Sequence, residues 1–177
     1  MLVASATVLL IADSTPRSFL YGLPLVIIGE MIRMWSAGYL NKMSKLTTAG
    51  PFAICRNPLY VGSFFISLGY VVMCHRPWLV APAVVLFWLF HGGAVAHEEK
   101  MLVEKFGEDF TTYCKSVPRF ISFPRSLKGY GKFSFLQMIH NREHINIIGT
   151  IITSSVFAVM SFTDSPVPIN WLLSFIR

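Results

Sequence analysis

Residues 77–96 contain no Asp, Glu, Lys or Arg, and no other feature of the chain restricts its folding as strongly. A helix of that length rises about 30 Å, the thickness of the hydrocarbon core of a bilayer. Residues 145–163 are equally free of charge, and residues 59–74 form a shorter uncharged run. Residues 19–40 are long enough to span but carry Glu30 and Arg33. Residues 1–12 are apolar, yet as a helix they would rise only about 18 Å. They lack the basic leader of a signal peptide, so cleavage is not expected. Ser14, Thr15, Pro16 and Arg17 read as a turn behind this short first segment.

Composition agrees with the runs. Hydrophobic residues make up 54% of the 177 and charged residues 14%, whereas a soluble domain keeps about a quarter of its residues charged. That balance excludes both a soluble globular domain and a disordered chain. Cys55, Cys74 and Cys114 form no C-x-x-C pair and read as reduced thiols. The expected fold is all-α: a polytopic helical membrane protein with about five transmembrane helices, the whole of 1–177 forming one membrane domain. No nucleic-acid partner is expected.

Charge placement predicts orientation. The connections after the second and fourth segments hold Lys42, Lys45, Arg56, Lys100, Lys105, Lys115, Arg119, Arg125, Lys128, Lys132 and Arg142. The other side holds only Arg17, Arg76 and Arg177. Loops rich in Lys and Arg stay in the cytoplasm, which puts the 97–144 connection there. Residues 118–135, with two Pro and two Gly, read as a surface segment. Residues 167–176, with Trp171, read as an interfacial anchor.

Within 97–144, Leu102, Phe106, Phe110, Tyr113 and Val117 recur at helical spacing around Gly107. Glu98 falls on the same stripe, and Glu99 is expected to point roughly 100° away from it. A carboxylate on an inward stripe at a membrane needs a partner or a task. Upstream, Arg56-Asn57-Pro58-Leu59-Tyr60-Val61-Gly62 opens the third segment. Pro58 suits a first helical turn, and the free amides of that turn beside Arg56 can cradle an anion. An Arg and a Tyr that merely anchor a helix end fit the same residues. By the span count both stretches lie on one face and can close around one ligand.

Other features are weaker. Glu30 and Arg33, one helical turn apart, are expected to pair. Gly92 and Gly93 could admit a close helix neighbour, and His91 beside them is a minor ligand candidate. His140-Asn141-Arg142-Glu143-His144 matches H-x-x-E-H, a zinc-hydrolase pattern, but without a third ligand no metal site is expected. No G-x-G-x-x-G follows a strand, so a soluble dinucleotide or methyltransferase fold is not indicated.

R-N-P-L-Y-V-G, then a helical hairpin, then E-E-x-x-L-x-x-x-F-G-x-x-F-x-x-Y-x-x-x-V-P resembles the integral-membrane methyltransferases. That group includes the isoprenylcysteine carboxyl methyltransferases and phospholipid methyltransferases. The family pattern is R-H-P-x-Y-x-G followed by E-E-x-x-L and F-G-x-x-Y-x-x-Y-x-x-x-V-P. The resemblance runs from about 29 to 118 and includes Gly29, Arg33, Trp35 and the Leu46-Thr47-Thr48-Ala49-Gly50 lead-in. It implies a catalytic core over 29–118 with a cytoplasmic-side pocket for S-adenosylmethionine, and a lipid-like membrane substrate. The added 145–163 helix lies outside it. Carried over residue by residue, Ser44, Lys45, Leu46 and Thr47 match the cofactor-contacting lead-in. Asn57, Pro58, Leu59 and Tyr60 match the cofactor-binding turn, and Glu98 matches the cofactor-binding acid. Arg56 and Glu98 are the catalytic candidates; Arg33 and Ala94 are the substrate-side candidates.

Three departures stand out. Asn57 replaces the usual His, and Phe52 replaces a cofactor-binding Tyr. Ala94 replaces the substrate Arg of the carboxyl methyltransferases, four residues before the binding Glu. An anionic group in a partly dehydrated pocket needs a cationic partner. The Ala94 change therefore favours a lipid amine as methyl acceptor over a prenylcysteine carboxylate. Two alternatives come from other classes: an NADPH-dependent membrane sterol or enone reductase, and a non-catalytic scaffold or lipid-binding protein.

Overall fold

Thr15 closes a capping box with Ser18, and Pro16 occupies the first helical position, so the chain enters its first described helix abruptly. In the computed structural model, which describes residues 12–41, 44–120 and 132–163, that helix is α1, Pro16–Tyr39. Of the turn expected at 14–17, Pro16 and Arg17 belong to the helix instead. A one-turn 3₁₀ segment, Gly50–Ala53, precedes α2, Pro58–Met73. A second, Pro77–Leu79, leads into α3, Val80–Phe106. Then come α4, Glu108–Ser116, α5, Phe135–His140, and α6, Glu143–Phe162. Among the described residues there is no strand.

The chain is a multi-pass integral membrane protein. Pro16–Tyr39, Pro77–Phe106 and Glu143–Phe162 are each long and apolar enough to cross a bilayer, and Pro58–Met73 is a shorter apolar helix. The uncharged run that ends at 96 continues as the same helix to Phe106, carrying Glu98 and Glu99 with it. Residues 1–11, 121–131 and 164–177 lie outside the described residues, and with them the first short segment, most of the surface segment and the anchor.

Helices α1 and α2 are joined by backbone. A Cβ on Gly29 would come within 2.5 Å of the Gly62 carbonyl oxygen, and one on Gly69 within 2.6 Å of the Val26 side chain. Gly22 meets Gly69 in the same way. Gly22 and Gly29 on α1, and Gly62 and Gly69 on α2, are each seven residues apart, two turns along one face, so the antiparallel pair touches at two levels. Lipid tails are as apolar as Leu, so helices in a bilayer gain little by hiding side chains from them; close backbone approach is the gain available. Phe19, Val26, Ile66, Met73, Cys74 and Phe157 fill the space beside this seam.

Helix α3 is different. It buries only Phe87, Val95 and Glu99, while Val85, Leu86, Leu89 and Phe90 are exposed. Such a surface is stable only against lipid. Among the described residues, nothing lies within 4 Å of where a Cβ on Gly92 or Gly93 would sit. No described helix uses the close approach that these glycines would permit, and a cavity lies between α3 and the Arg56–Gly62 turn.

Candidate active site

The Arg56–Gly62 turn is set by its C-terminal neighbours. Tyr113 on α4 donates from its hydroxyl to the Phe52 carbonyl at 2.6 Å, and the Arg56 amide donates to the Pro118 carbonyl at 2.9 Å. Gly107 separates α3 from α4 with φ +52°, a conformation that strains other residues. The break turns the Phe110 and Tyr113 face back under the turn. The stripe read from sequence is therefore inward along its length, with Phe110 and Tyr113 buried and Leu102, Phe106 and Val117 half-buried.

Glu99 is the centre of this end of the molecule. It is 7% exposed; its Oε1 accepts from Asn57 Nδ2 at 3.0 Å and lies 3.6 Å from Arg56 Nε. Its Oε2 accepts from Arg119 Nε and Nη2 at 3.0 and 2.6 Å. Asn57 also donates to the Arg119 carbonyl at 3.1 Å. Arg56 Nη1 contacts the Cys114 sulfur. The expectation that Glu99 turns away is corrected. The helix stripe was read from α3 alone, whereas the 117–120 segment folds over the turn and encloses the neighbouring carboxylate.

Electrostatics follow the enclosure. The Glu99 carboxylate raises the Arg119 guanidinium above its ordinary value by hydrogen bonding and charge. Burial pushes the Cys55 thiol up to about 11 and the Tyr113 phenol well above its usual range. Both groups are held neutral, and neither is set up as a nucleophile.

Above this clamp lies a cavity of about 790 Å³. Arg33, Lys45, Leu46, Thr47, Arg56, Asn57, Leu59, Tyr60, Ala94 and Glu98 line it, as candidates taken from sequence. Ser44 and Pro58 do not: Ser44 is exposed to solvent, and Pro58 is fully buried in the first turn of α2. Tyr60 lines the cavity together with Glu98 and packs edge-on to His91, with ring centres 5.8 Å apart. Sequence reading missed Asn41, His97, Glu99 and Met101, which also line the cavity. His97 and Glu99 flank the Glu98 that was singled out, and Met101 is one helical turn on; an α3 lining two residues wide would have included them.

The Glu30–Arg33 pair is also corrected. Arg33 Nε and Nη2 donate to Glu143 Oε1 and Oε2 at 2.7 and 3.0 Å, while Nη1 reaches Ser63 Oγ and the Leu59 carbonyl. Glu30 instead accepts from Thr150 Oγ1 at 3.0 Å. Glu143, the acid of the H-x-x-E-H run, is thus engaged by a guanidinium. Glu143 takes the place of the intrahelical partner by presenting both of its oxygens to two nitrogens of the fork.

These features define a class: a helical membrane protein with one mixed polar and apolar ligand cavity between a turn and a long helix. The phospholipid methyltransferase family model matches residues 18–109, more than half of the chain, and the protein belongs to that family. The protein-S-isoprenylcysteine O-methyltransferase of Rattus norvegicus is 34% identical over 119 residues, covering 60% of this chain and 42% of that protein. A cobalt-zinc-cadmium resistance protein of Cupriavidus metallidurans is 33% identical over 106 residues, covering 59% of this chain and 46% of that one. Among solved structures, the eukaryotic intramembrane Ras methyltransferase ICMT (isoprenylcysteine carboxyl methyltransferase) is similar at a TM-score of 0.51 and 26% identity. That likeness covers 62% of this chain and 44% of the other. The aligned part of this chain spans less than half the length of these relatives.

Proposed function

We propose that the protein transfers a methyl group from S-adenosylmethionine to a lipid-like acceptor that enters its cavity from the membrane. The observation that carries this reading is a cavity in which Arg56, Tyr60 and Glu98 face the apolar walls of Leu102, Phe106 and Phe110. Its volume lies within the roughly 300–1,000 Å³ of ligand pockets. The donor set suits an amino-acid zwitterion. Glu98 and the Tyr60 oxygen suit an ammonium group, and Lys45 suits a carboxylate. Arg56 adds a second cation to the cavity lining, with its Nε already paired to Glu99 Oε1 at 3.6 Å. The family model and the relatives' names support methyl transfer as the chemistry.

When bound, the cofactor supplies an activated sulfonium methyl, so the protein's task is positioning and exclusion of water. Tyr60 and Glu98 orient the donor, the Glu99 clamp joins the turn that carries Tyr60 to the helix that carries Glu98, and the apolar wall excludes water. The catalytic core is 29–118, with α6 as an addition to it, and the cavity side is cytoplasmic, following the excess of Lys and Arg in its loops.

For the acceptor, the site chemistry favours a lipid amine. Ala94 provides no charge, and Arg33 is already engaged by Glu143. The relatives' names favour a second reading, a prenylcysteine carboxylate. Calorimetric titration of the purified protein with S-adenosylhomocysteine tests the cofactor; NADPH binding in its place would mean a reductase, and binding of neither a scaffold. Labelled methyl transfer to phosphatidylethanolamine and to farnesylcysteine, side by side, then separates the acceptors. Transfer to farnesylcysteine alone would overturn the amine.

A further inference from the structure

Arg33 lines the cavity, yet its guanidinium is nearly saturated. Two of its nitrogens donate to the two oxygens of Glu143, and the third reaches Ser63 Oγ and the Leu59 carbonyl. The ion pair is enclosed, with the Arg33 and Glu143 side chains 12% and 4% exposed. Glu143 is the first residue of α6 and lies 110 positions along the chain from Arg33. It is held in turn by Asn146 Nδ2 at 3.2 Å and, through the preceding loop, by Asn141, which donates to the Ala37 and Leu40 carbonyls at 2.8 Å.

A carboxylate and a guanidinium pair best fork to fork, through two parallel hydrogen bonds. A substrate carboxylate that used Arg33 would take the same two N–H groups that Glu143 takes. We propose that Glu143 is a specificity-determining residue: an internal carboxylate that occupies the Arg33 fork and so disfavours anionic methyl acceptors in this cavity. Neutral amines and polar headgroups that do not need the fork are unaffected. The proposal rests on the methyltransferase reading above and names the acceptor class for that same site. Specificity of this kind comes from a contact withheld from the wrong ligand as much as from one made to the right one.

The test uses the full chain in detergent micelles with labelled S-adenosylmethionine, farnesylcysteine as the carboxylate acceptor and phosphatidylethanolamine as the amine. Calorimetry with S-adenosylhomocysteine is run on every variant. Glu143→Gln removes the competing charge, and the carboxylate-to-amine ratio of kcat/KM should rise about tenfold, the value of one charge-assisted hydrogen bond. In Arg33→Gln/Glu143→Gln, which removes both members of the ion pair, that ratio should return to the wild-type value. An unchanged ratio in Glu143→Gln with cofactor binding intact overturns the proposal. So does a fall in the ratio in the double variant, because it would mean that the wild-type guanidinium binds the acceptor. If Glu143→Gln does not fold, the double variant alone decides. Failure of the wild-type protein to bind S-adenosylhomocysteine is a different result and refutes the methyltransferase reading instead.

Discussion

Helix α1 meets its two neighbours in opposite ways. Against α2 it offers Gly22 and Gly29, and contact is backbone to backbone. Against α6 it offers Arg33 and Glu30 to Glu143 and Thr150 through hydrogen bonds, beside an aromatic contact of Phe19 with Phe162. The Tyr70 hydroxyl on α2 donates to the Thr150 carbonyl at 3.1 Å, and the Ser14 and Ser161 hydroxyls meet at 2.6 Å, so α6 is held by polar contacts along most of its length. Both solutions answer one problem, the lack of a hydrophobic force between helices inside a bilayer. They differ in how they fail. A glycine contact has no slack, because an added methyl group meets a backbone carbonyl. A polar contact in a membrane is worth little singly, because partners can be found elsewhere. The glycine pair carries the Arg56–Gly62 turn, and the polar seam carries the helix outside the family match.

The sharpest way to break this comparison is Gly62→Val. A Cβ there lies 2.6 Å from both the Gly29 carbonyl oxygen and the Arg33 Cγ, so helices α1 and α2 must separate. The expected cost is about 3 kcal/mol or more, read as loss of the monodisperse peak in detergent chromatography. Gly92→Ala, in open space, should stay within roughly 0.5 kcal/mol of wild type. Comparable losses at the two positions would remove the distinction.

Next in size is Glu99→Ala. It strands Arg56 and leaves Asn57 and Arg119 without their shared acceptor. Breaking an enclosed pair of this kind costs about 3 kcal/mol; the half-exposed Arg119 contributes the smaller share of it. Glu98→Ala should weaken S-adenosylhomocysteine binding while leaving the melting temperature nearly unchanged. Thermal melts and calorimetry on both variants separate a structural carboxylate from a ligand-facing one.

Tyr113→Phe removes one neutral hydrogen bond to the Phe52 carbonyl, worth about 1 kcal/mol. The pH dependence follows from the same enclosure. Burial raises the folded-state values of Cys55 and Tyr113 above their ordinary 9.0 and 10.0. The unfolded chain therefore ionises first, and their contribution is complete below about pH 9. It is lost as pH rises toward the folded value of about 11 for Cys55. Melting curves between neutral and alkaline pH should show that decline, and it should be shallower in Cys55→Ala with Tyr113→Phe.

The smallest effect belongs to the polar seam. Thr150→Val deletes the hydrogen bond to Glu30 but keeps the carbonyl that Tyr70 uses. About 0.6 kcal/mol is expected. A loss as large as that of Gly62→Val would mean that the two joints are not different in kind.

Much of this architecture was legible in the residues. Uncharged runs located α2, α3 and α6 because hydrocarbon tolerates no unpaired charge, and α1 was legible as a long apolar segment in spite of Glu30 and Arg33. The Leu102–Val117 stripe with its break at Gly107 was legible because helical periodicity is local. Arg56, Tyr60 and Glu98 were legible as one site because two motifs flank one hairpin. The glycine pairs at 22 and 29 and at 62 and 69 were also in plain view, as equal seven-residue spacings. They were passed over because spacing within each helix does not say which helix answers it.

Sequence by itself determined what depends on neighbours along the chain: which segments are apolar, where helices start and break, and which residue types the two motifs supply. Tertiary structure alone decided which carboxylate each cation took. Arg33 had Glu30 one turn away and took Glu143 from a helix more than a hundred residues distant. Glu99 was turned inward by a segment twenty residues beyond it. An ion pair in a partly dehydrated site is set by geometry, by which carboxylate can present both oxygens to both nitrogens while water is excluded. That geometry exists only after the helices have packed.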